Sequence, residues 1–178
     1  MKRLRLFTTE HDHFQKAWQL YEDAFPIDEK RELGLQKEII KNPKYHFDVI
    51  FDEDDFVGFL LWWEFESFRY IEHLATLSVH RGKGYGKQIV KQFISESEDV
   101  IILEVDLPKD EVSKRRINFY ERIDFKLNQY PYKQLPLRKG GEYVDMLLMS
   151  SPQILSKQDV DRFKEQFKTE CYEPYFLG

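Results

Sequence analysis

Between residues 70 and 98 the chain passes from an apolar, alternating stretch through closely spaced glycines into a helical pattern, and this order constrains its fold more than any other feature. Tyr70–Ser78 reads as a strand. Gly82, Gly84 and Gly86 then punctuate the start of a helix that runs to about Glu98, with Ile89, Val90, Phe93 and Ile94 on one side. A helix start presents backbone N–H groups without partners and a partial positive charge, so it suits a phosphate-type anion. Glycines there let the backbone approach the anion closely, and Arg81, Lys83 and Lys87 add positive charge. The spacing excludes two familiar phosphate motifs. The glycines do not follow G-x-G-x-x-G, and Gly86-Lys87-Gln88 lacks the hydroxyl of a P-loop.

The flanking sequence supplies the rest of an α/β domain. Leu4 and Leu6 mark a short strand, and His13–Phe25 carries Phe14, Ala17, Trp18, Tyr21 and Phe25 at helical spacing before Pro26 ends it. A helix is expected over Glu29–Lys41 with Leu33, Ile39 and Ile40 inward. Strands are expected at Tyr45–Phe51 and Val57–Phe65, joined by the acidic turn Asp52-Glu53-Asp54-Asp55. Val100–Val105 reads as a buried strand, Val112–Arg122 as a helix, and Phe125–Gln129 and Tyr143–Met149 as closing strands. These elements predict one mixed seven-stranded sheet flanked by helices, over residues 1–150. Residues 151–178 form a helical extension whose stripe of Val160, Phe163, Phe167 and Cys171 is expected to dock on its own domain or on a second copy in a homodimer.

Composition removes several function classes. A formal charge of -5, from 27 Lys+Arg against 32 Asp+Glu, argues against nucleic acid and tilts the case toward a cationic partner. Cys171 is the only cysteine, so neither an internal disulfide nor a cysteine metal cluster forms. No membrane span or signal peptide is expected, so the cytoplasm is the expected location and no metal is called for.

The segment His80-Arg81-Gly82-Lys83-Gly84-Tyr85-Gly86 resembles the acyl-CoA-binding signature of the GCN5-related N-acetyltransferase (GNAT) superfamily, Arg/Gln-x-x-Gly-x-Gly/Ala, with Arg81, Gly84 and Gly86 in its defining places. Tyr70–Leu77 resembles the family's fourth strand, and Asn118–Phe125 its Phe-Tyr-Glu-Lys-x-Gly-Phe segment. The resemblance implies a GNAT-like fold whose fourth and fifth strands splay apart. It also implies acetyl-CoA as acetyl donor, with pantetheine along Ala75, Thr76 and Leu77, and pyrophosphate on the amides of Gly82, Lys83, Gly84, Tyr85, Gly86 and Lys87. Asp124 stands where the family has glycine, and Ser113 where an asparagine often contacts the cofactor.

Direct transfer to an amine needs a base or a water path, backbone oxyanion donors and an acid for the departing thiolate. By resemblance, Tyr120 stands near the cofactor sulfur. Glu72, out of phase with Ile71 on the fourth strand, is the leading base candidate. His73, in phase with Ile71, Ala75 and Leu77, reads as a packed histidine. Glu64, Glu66 and Glu104 are candidates for an acidic acceptor pocket. The expected acceptor is a primary amine on a small molecule, peptide or protein. The competing class is a non-catalytic acyl-CoA-binding module.

Overall fold

The computed structural model describes residues 1–177. Seven strands, β1 (Lys2–Leu6), β2 (Tyr45–Asp52), β3 (Asp55–Glu64), β4 (Phe68–Thr76), β5 (Val100–Asp106), β6 (Lys126–Gln134) and β7 (Val144–Ser151), form one sheet in the order β1-β2-β3-β4-β5-β7-β6. The first four are antiparallel neighbours. β4 and β5 are parallel neighbours, joined by a crossover through α3 (Tyr85–Ser95), and β7 inserts antiparallel between β5 and β6. The acidic tetrad is the β2–β3 hairpin turn, closing at the Asp52–Asp55 pair.

Each face of the sheet buries its own core. On one face α1 (Phe14–Ala24) contributes Phe14, Ala17, Trp18 and Tyr21, a spacing that puts all four on one helical stripe. On the other, Ile89, Val90 and Phe93 of α3 and Ile117 of α4 (Glu111–Glu121) cover Ile71, Ile101 and Leu103. The extension joins the first core. Val160 and Phe163 of α5 (Lys157–Gln166), then Phe167 and Cys171 in a wider, π-helical turn, are all buried. Phe163 and Phe167 lie 5.2 and 5.3 Å from the Tyr70 ring. Asn42 donates to the Tyr175 hydroxyl at 2.8 Å, which ties the end of the chain to the same domain.

Three segments differ from expectation. The helix over 29–41 is realised only as α2 (Leu33–Ile39), preceded by a short 3-10 turn at Ile27–Glu29. Between them Lys30 is extended, the Arg31 amide donates to the Tyr21 hydroxyl at 2.7 Å, and the Arg31 side chain is fully buried. Burying that side chain stops the helix from starting earlier, and Leu33 is left exposed at the surface. β6 continues to Gln134 instead of ending near Gln129. Its pairing with β7 is irregular between Asn128 and Tyr132, which accommodates Pro131 on an edge strand.

The third difference shapes the site. Leu61 pairs with His73 and Trp62 with Ile71, so Glu72 is the extra residue of a β-bulge. The bulge turns Glu72 and His73 toward the same face, the one carrying α1. His73 is therefore in phase with Ala75 but not with Ile71, which packs on the opposite core. A strict two-residue period cannot register an inserted residue.

Candidate active site

Parallel pairing of β4 with β5 covers only Phe68–Ile71 against Val100–Leu103. Beyond Ile71 and Leu103 the strands separate, and the far end of β4 keeps an edge unpaired on the β5 side. Two cavities open into this gap. One, of about 310 Å³, is lined by Phe25, Glu29, residues 71–76, Leu103, Glu104, Gln134 and Tyr120 among others. The second, of about 700 Å³, runs along the glycine turn and the start of α3 to Phe119 and Tyr120 of α4. Leu74, Ala75, Thr76, Arg81, Arg116 and Tyr120 line both.

The turn into α3 has the geometry an anion requires. Gly82 and Gly84 both take φ of +79°, a conformation in which a side chain is strained. The first main-chain bond into α3 is donated by Gln88 to the Gly84 carbonyl at 3.1 Å, so the amides of Tyr85, Gly86 and Lys87 precede any helical acceptor. Arg81, Lys87 and Arg122 surround them, while the Tyr85 hydroxyl donates to Asp52 at 2.6 Å and holds the turn against the β2–β3 hairpin. Leu77 and Lys83 lie outside both cavity walls. The Leu77 amide is instead bonded to the Val57 carbonyl at 2.9 Å.

The bulge delivers Glu72 into a closed ion pair. Both carboxylate oxygens accept from Arg31, one also accepts from Trp63 Nε1 at 3.2 Å, and both side chains are fully buried. Burial alone would raise the Glu72 carboxyl, but Arg31 and His73 outweigh it and hold it well below the usual carboxylate range. His73 Nε2 donates to the Glu29 carbonyl at 2.7 Å, with the Tyr21 and Phe25 rings edge-on to the imidazole. His73 is the packed histidine expected.

Tyr120 stands where the two cavities meet. Burial pushes its phenol up to about 12, Arg116 opposing, so the hydroxyl is protonated at neutral pH. Among the described residues none is hydrogen-bonded to it. Ser113 is not a wall residue. It closes a capping box at the start of α4, its amide and hydroxyl both bonded to Asp110. Asp124 takes φ +72°, the left-handed conformation that glycine at this place would supply.

Glu104 on β5 faces the gap from the other side. It accepts from the Tyr70 hydroxyl at 2.8 Å and from the Tyr132 hydroxyl and Gln134 Nε2. Burial raises its carboxyl, with those three hydrogen bonds opposing.

With this geometry in place, comparison with known proteins is decisive. The family model described as "Acetyltransferase (GNAT) family" matches residues 10–125, well over half of the chain. The chain belongs to this family. A GNAT-family acetyltransferase structure from Bacteroides thetaiotaomicron is 32% identical, covers 97% of this chain and 98% of its own, and superposes with a TM-score of 0.90. YjbC of Bacillus subtilis (strain 168), named as an acetyltransferase, is 25% identical over 78% of this chain and 71% of its own length. A Bacillus subtilis acetyltransferase in complex with CoA shares the fold at a TM-score of 0.58 and 15% identity, covering 84% and 96% of the two chains.

Arg31 and Gly58 are working parts of this GNAT domain that carry no sequence signal. Arg31 looks like one more surface cation. Gly58 looks like an ordinary strand glycine, yet a Cβ there would meet the Ala75 carbonyl oxygen at 2.1 Å, so only glycine lets β3 pair with the open end of β4. Arg116, bonded to Asp106 at 2.7 Å, sits one helical turn before Tyr120, and that spacing is a signal that could have placed it in the gap.

Proposed function

We propose that this GNAT protein is an acetyl-CoA-dependent N-acetyltransferase that moves an acetyl group to a primary amine by direct transfer. The observation that carries the reading is the shared wall. An anion-suited groove and a separate, acid-lined cavity meet at Tyr120 and the open edge of β4, so two substrates can be held together. Acetyl-CoA supplies a thioester carbonyl open to attack and a thiolate leaving group. The α3 amides, Arg81 and Lys87 suit its pyrophosphate. The unpaired backbone of Ala75 and Thr76 suits the pantetheine amides, in the manner of strand addition.

Tyr120 is the group for the departing sulfur. A phenol at about 12 is a poor outright acid but a standing hydrogen-bond donor, and it stabilises the thiolate as charge develops. Glu72 is assigned a structural role in place of the base. Its oxygens are committed to Arg31, and a carboxyl held that low takes up no proton at neutral pH. The acceptor cavity, of about 310 Å³, has room for an aminoalkyl group, whether it is carried by a small molecule or a side chain. Use of acetyl-CoA and the buried, reduced Cys171 are in keeping with the cytoplasm.

The test pairs calorimetric titration of acetyl-CoA with thiol release across amine classes and product mass. Saturable binding and an amine product carrying one acetyl group are expected. A protein that binds acetyl-CoA yet acetylates no amine would favour the binding-module alternative, and absence of binding would overturn the reading.

A further inference from the structure

Once Glu72 is tied to Arg31, Glu104 and Gln134 still present to the cavity two neighbouring oxygen atoms with hydrogen-bonding capacity to spare. A carboxylate offers about four acceptor positions. Glu104 Oε2 accepts from Tyr70 and Gln134, and Oε1 from Tyr132, so three positions are filled and one on Oε1 is open. Gln134 is only 4% exposed. Its Nε2 must be the atom facing Glu104, because a carboxylate only accepts, and this orients the amide. Gln134 Oε1 is then buried with no partner at all. A buried acceptor without a donor is costly, and here it stands in a side chain that lines the cavity beside Glu104. Side by side, these two acceptors have no donor bonded to their open positions.

The charges around it point the same way. Of the two arginines in the wall, Arg116 is committed to Asp106 at 2.7 Å and Arg81 is shared with the groove at the glycine turn, whereas Asp23 and Glu29, which also line the cavity, form no ion pair among the described residues. Burial raises the Glu29 carboxyl, as does nearby Asp106.

We propose that Glu104 and Gln134 form the ammonium-receiving end of the acceptor cavity, so that the acceptor arrives as a primary alkylammonium ion and Glu104 takes its proton. The proposal rests on the acetyl-transfer reading. The ammonium donates to Glu104 Oε1 and Gln134 Oε1, and one N–H proton passes to the Glu104 carboxylate and on to solvent. The freed lone pair forms the C–N bond to the acetyl carbonyl carbon, and the C–S bond breaks. The thiolate leaves against the Tyr120 hydroxyl, and the second proton lost by nitrogen ends on sulfur. A net of one proton is released for each amide formed. Tyr70 and Glu72 face Glu104 from β4, and Tyr132 and Gln134 from β6. The proximity of Glu72 raises the Glu104 carboxyl further and makes it a stronger base.

The experiment uses the full chain with acetyl-CoA and n-butylamine as the probe. Thiol release is followed from pH 6 to 10, and acetyl-CoA affinity is measured by calorimetry. Wild type should show amine-dependent release. Glu104→Gln should bind acetyl-CoA within about twofold of wild type, yet lose about 10²–10⁴-fold in kcat/KM together with the acidic limb of the profile. Glu104→Asp should recover part of it. Gln134→Leu, which keeps the carboxylate, should raise KM for the amine more than it lowers kcat. Equal profiles in wild type and Glu104→Gln would overturn the proposal, as would wild type that binds acetyl-CoA but shows no amine-dependent release. Failure to bind acetyl-CoA would overturn the acetyl-transfer reading itself, and this proposal with it.

Discussion

Glu72 and Glu104 are both buried carboxyls on adjacent strands, and their partners separate them. Glu72 meets a cation and is pulled low, while Glu104 meets only neutral donors and is left high. Glu72→Gln should therefore act on folding. It strands Arg31 as a buried charge without a partner and should cost about 3–5 kcal/mol in urea denaturation. Because the folded-state carboxyl lies below its unfolded value of about 4.3, its stabilising contribution is complete above that value. The contribution is lost as the pH falls through the acid range below about 4, so wild-type stability should drop there and the variant should show a flatter acid limb. Glu104 has the opposite sign, its charged form opposing folding as pH rises past the usual carboxylate value. Tyr120→Phe should leave the calorimetric affinity for acetyl-CoA nearly unchanged and lower kcat by about 10²-fold or more, at the lower end of what a positioned proton donor contributes. Unchanged turnover across pH would remove Tyr120 from the reaction.

At the scale of elements, the open end of β4 is made by three local irregularities: the bulge at Glu72, the glycine at 58 and the divergence beyond Ile71. Gly58→Ala should displace the Ala75–Thr76 backbone, since a Cβ 2.1 Å from a main-chain oxygen cannot be accommodated by a side-chain rotation. A loss of more than about 1 kcal/mol in stability is expected, with at least tenfold weaker acetyl-CoA binding by calorimetry. Gly34→Ala in α2 is the matched control. Nothing lies within 4 Å of its added methyl, and it should stabilise by about 0.4–1 kcal/mol with binding unaltered. The same logic separates what was legible here. Gly82 and Gly84 announce the turn into α3 because only glycine takes their φ readily. The bulge was not legible, because Tyr70–Thr76 alternates acceptably in either register.

Across the whole molecule, the extension and the cavity wall at Glu104 are mechanically joined. Phe163 packs on Tyr70 and Tyr132, and those two hydroxyls hold Glu104. Phe163→Ala should cost about 3–5 kcal/mol in thermal or urea denaturation. It should also lower amine turnover while leaving acetyl-CoA affinity near wild type, since the groove at α3 lies on the other core. Loss of cofactor affinity equal to the loss of turnover would show instead that the two cores are not independent.

The sequence by itself determined the order of strands and helices, the place of the glycine turn before α3 and the apolar stripe of the tail. Each of these is written in periodicity or in residues with narrow conformational ranges, which act over a few positions of chain. Tertiary structure alone decided which carboxylate is free. Arg31, Trp63, Tyr70, Tyr132 and Gln134 come from four separate segments, and only the folded sheet brings them within reach of Glu72 and Glu104. A carboxyl's proton affinity is set by burial and by the charges and donors within a few ångströms, and none of those distances is a property of sequence spacing.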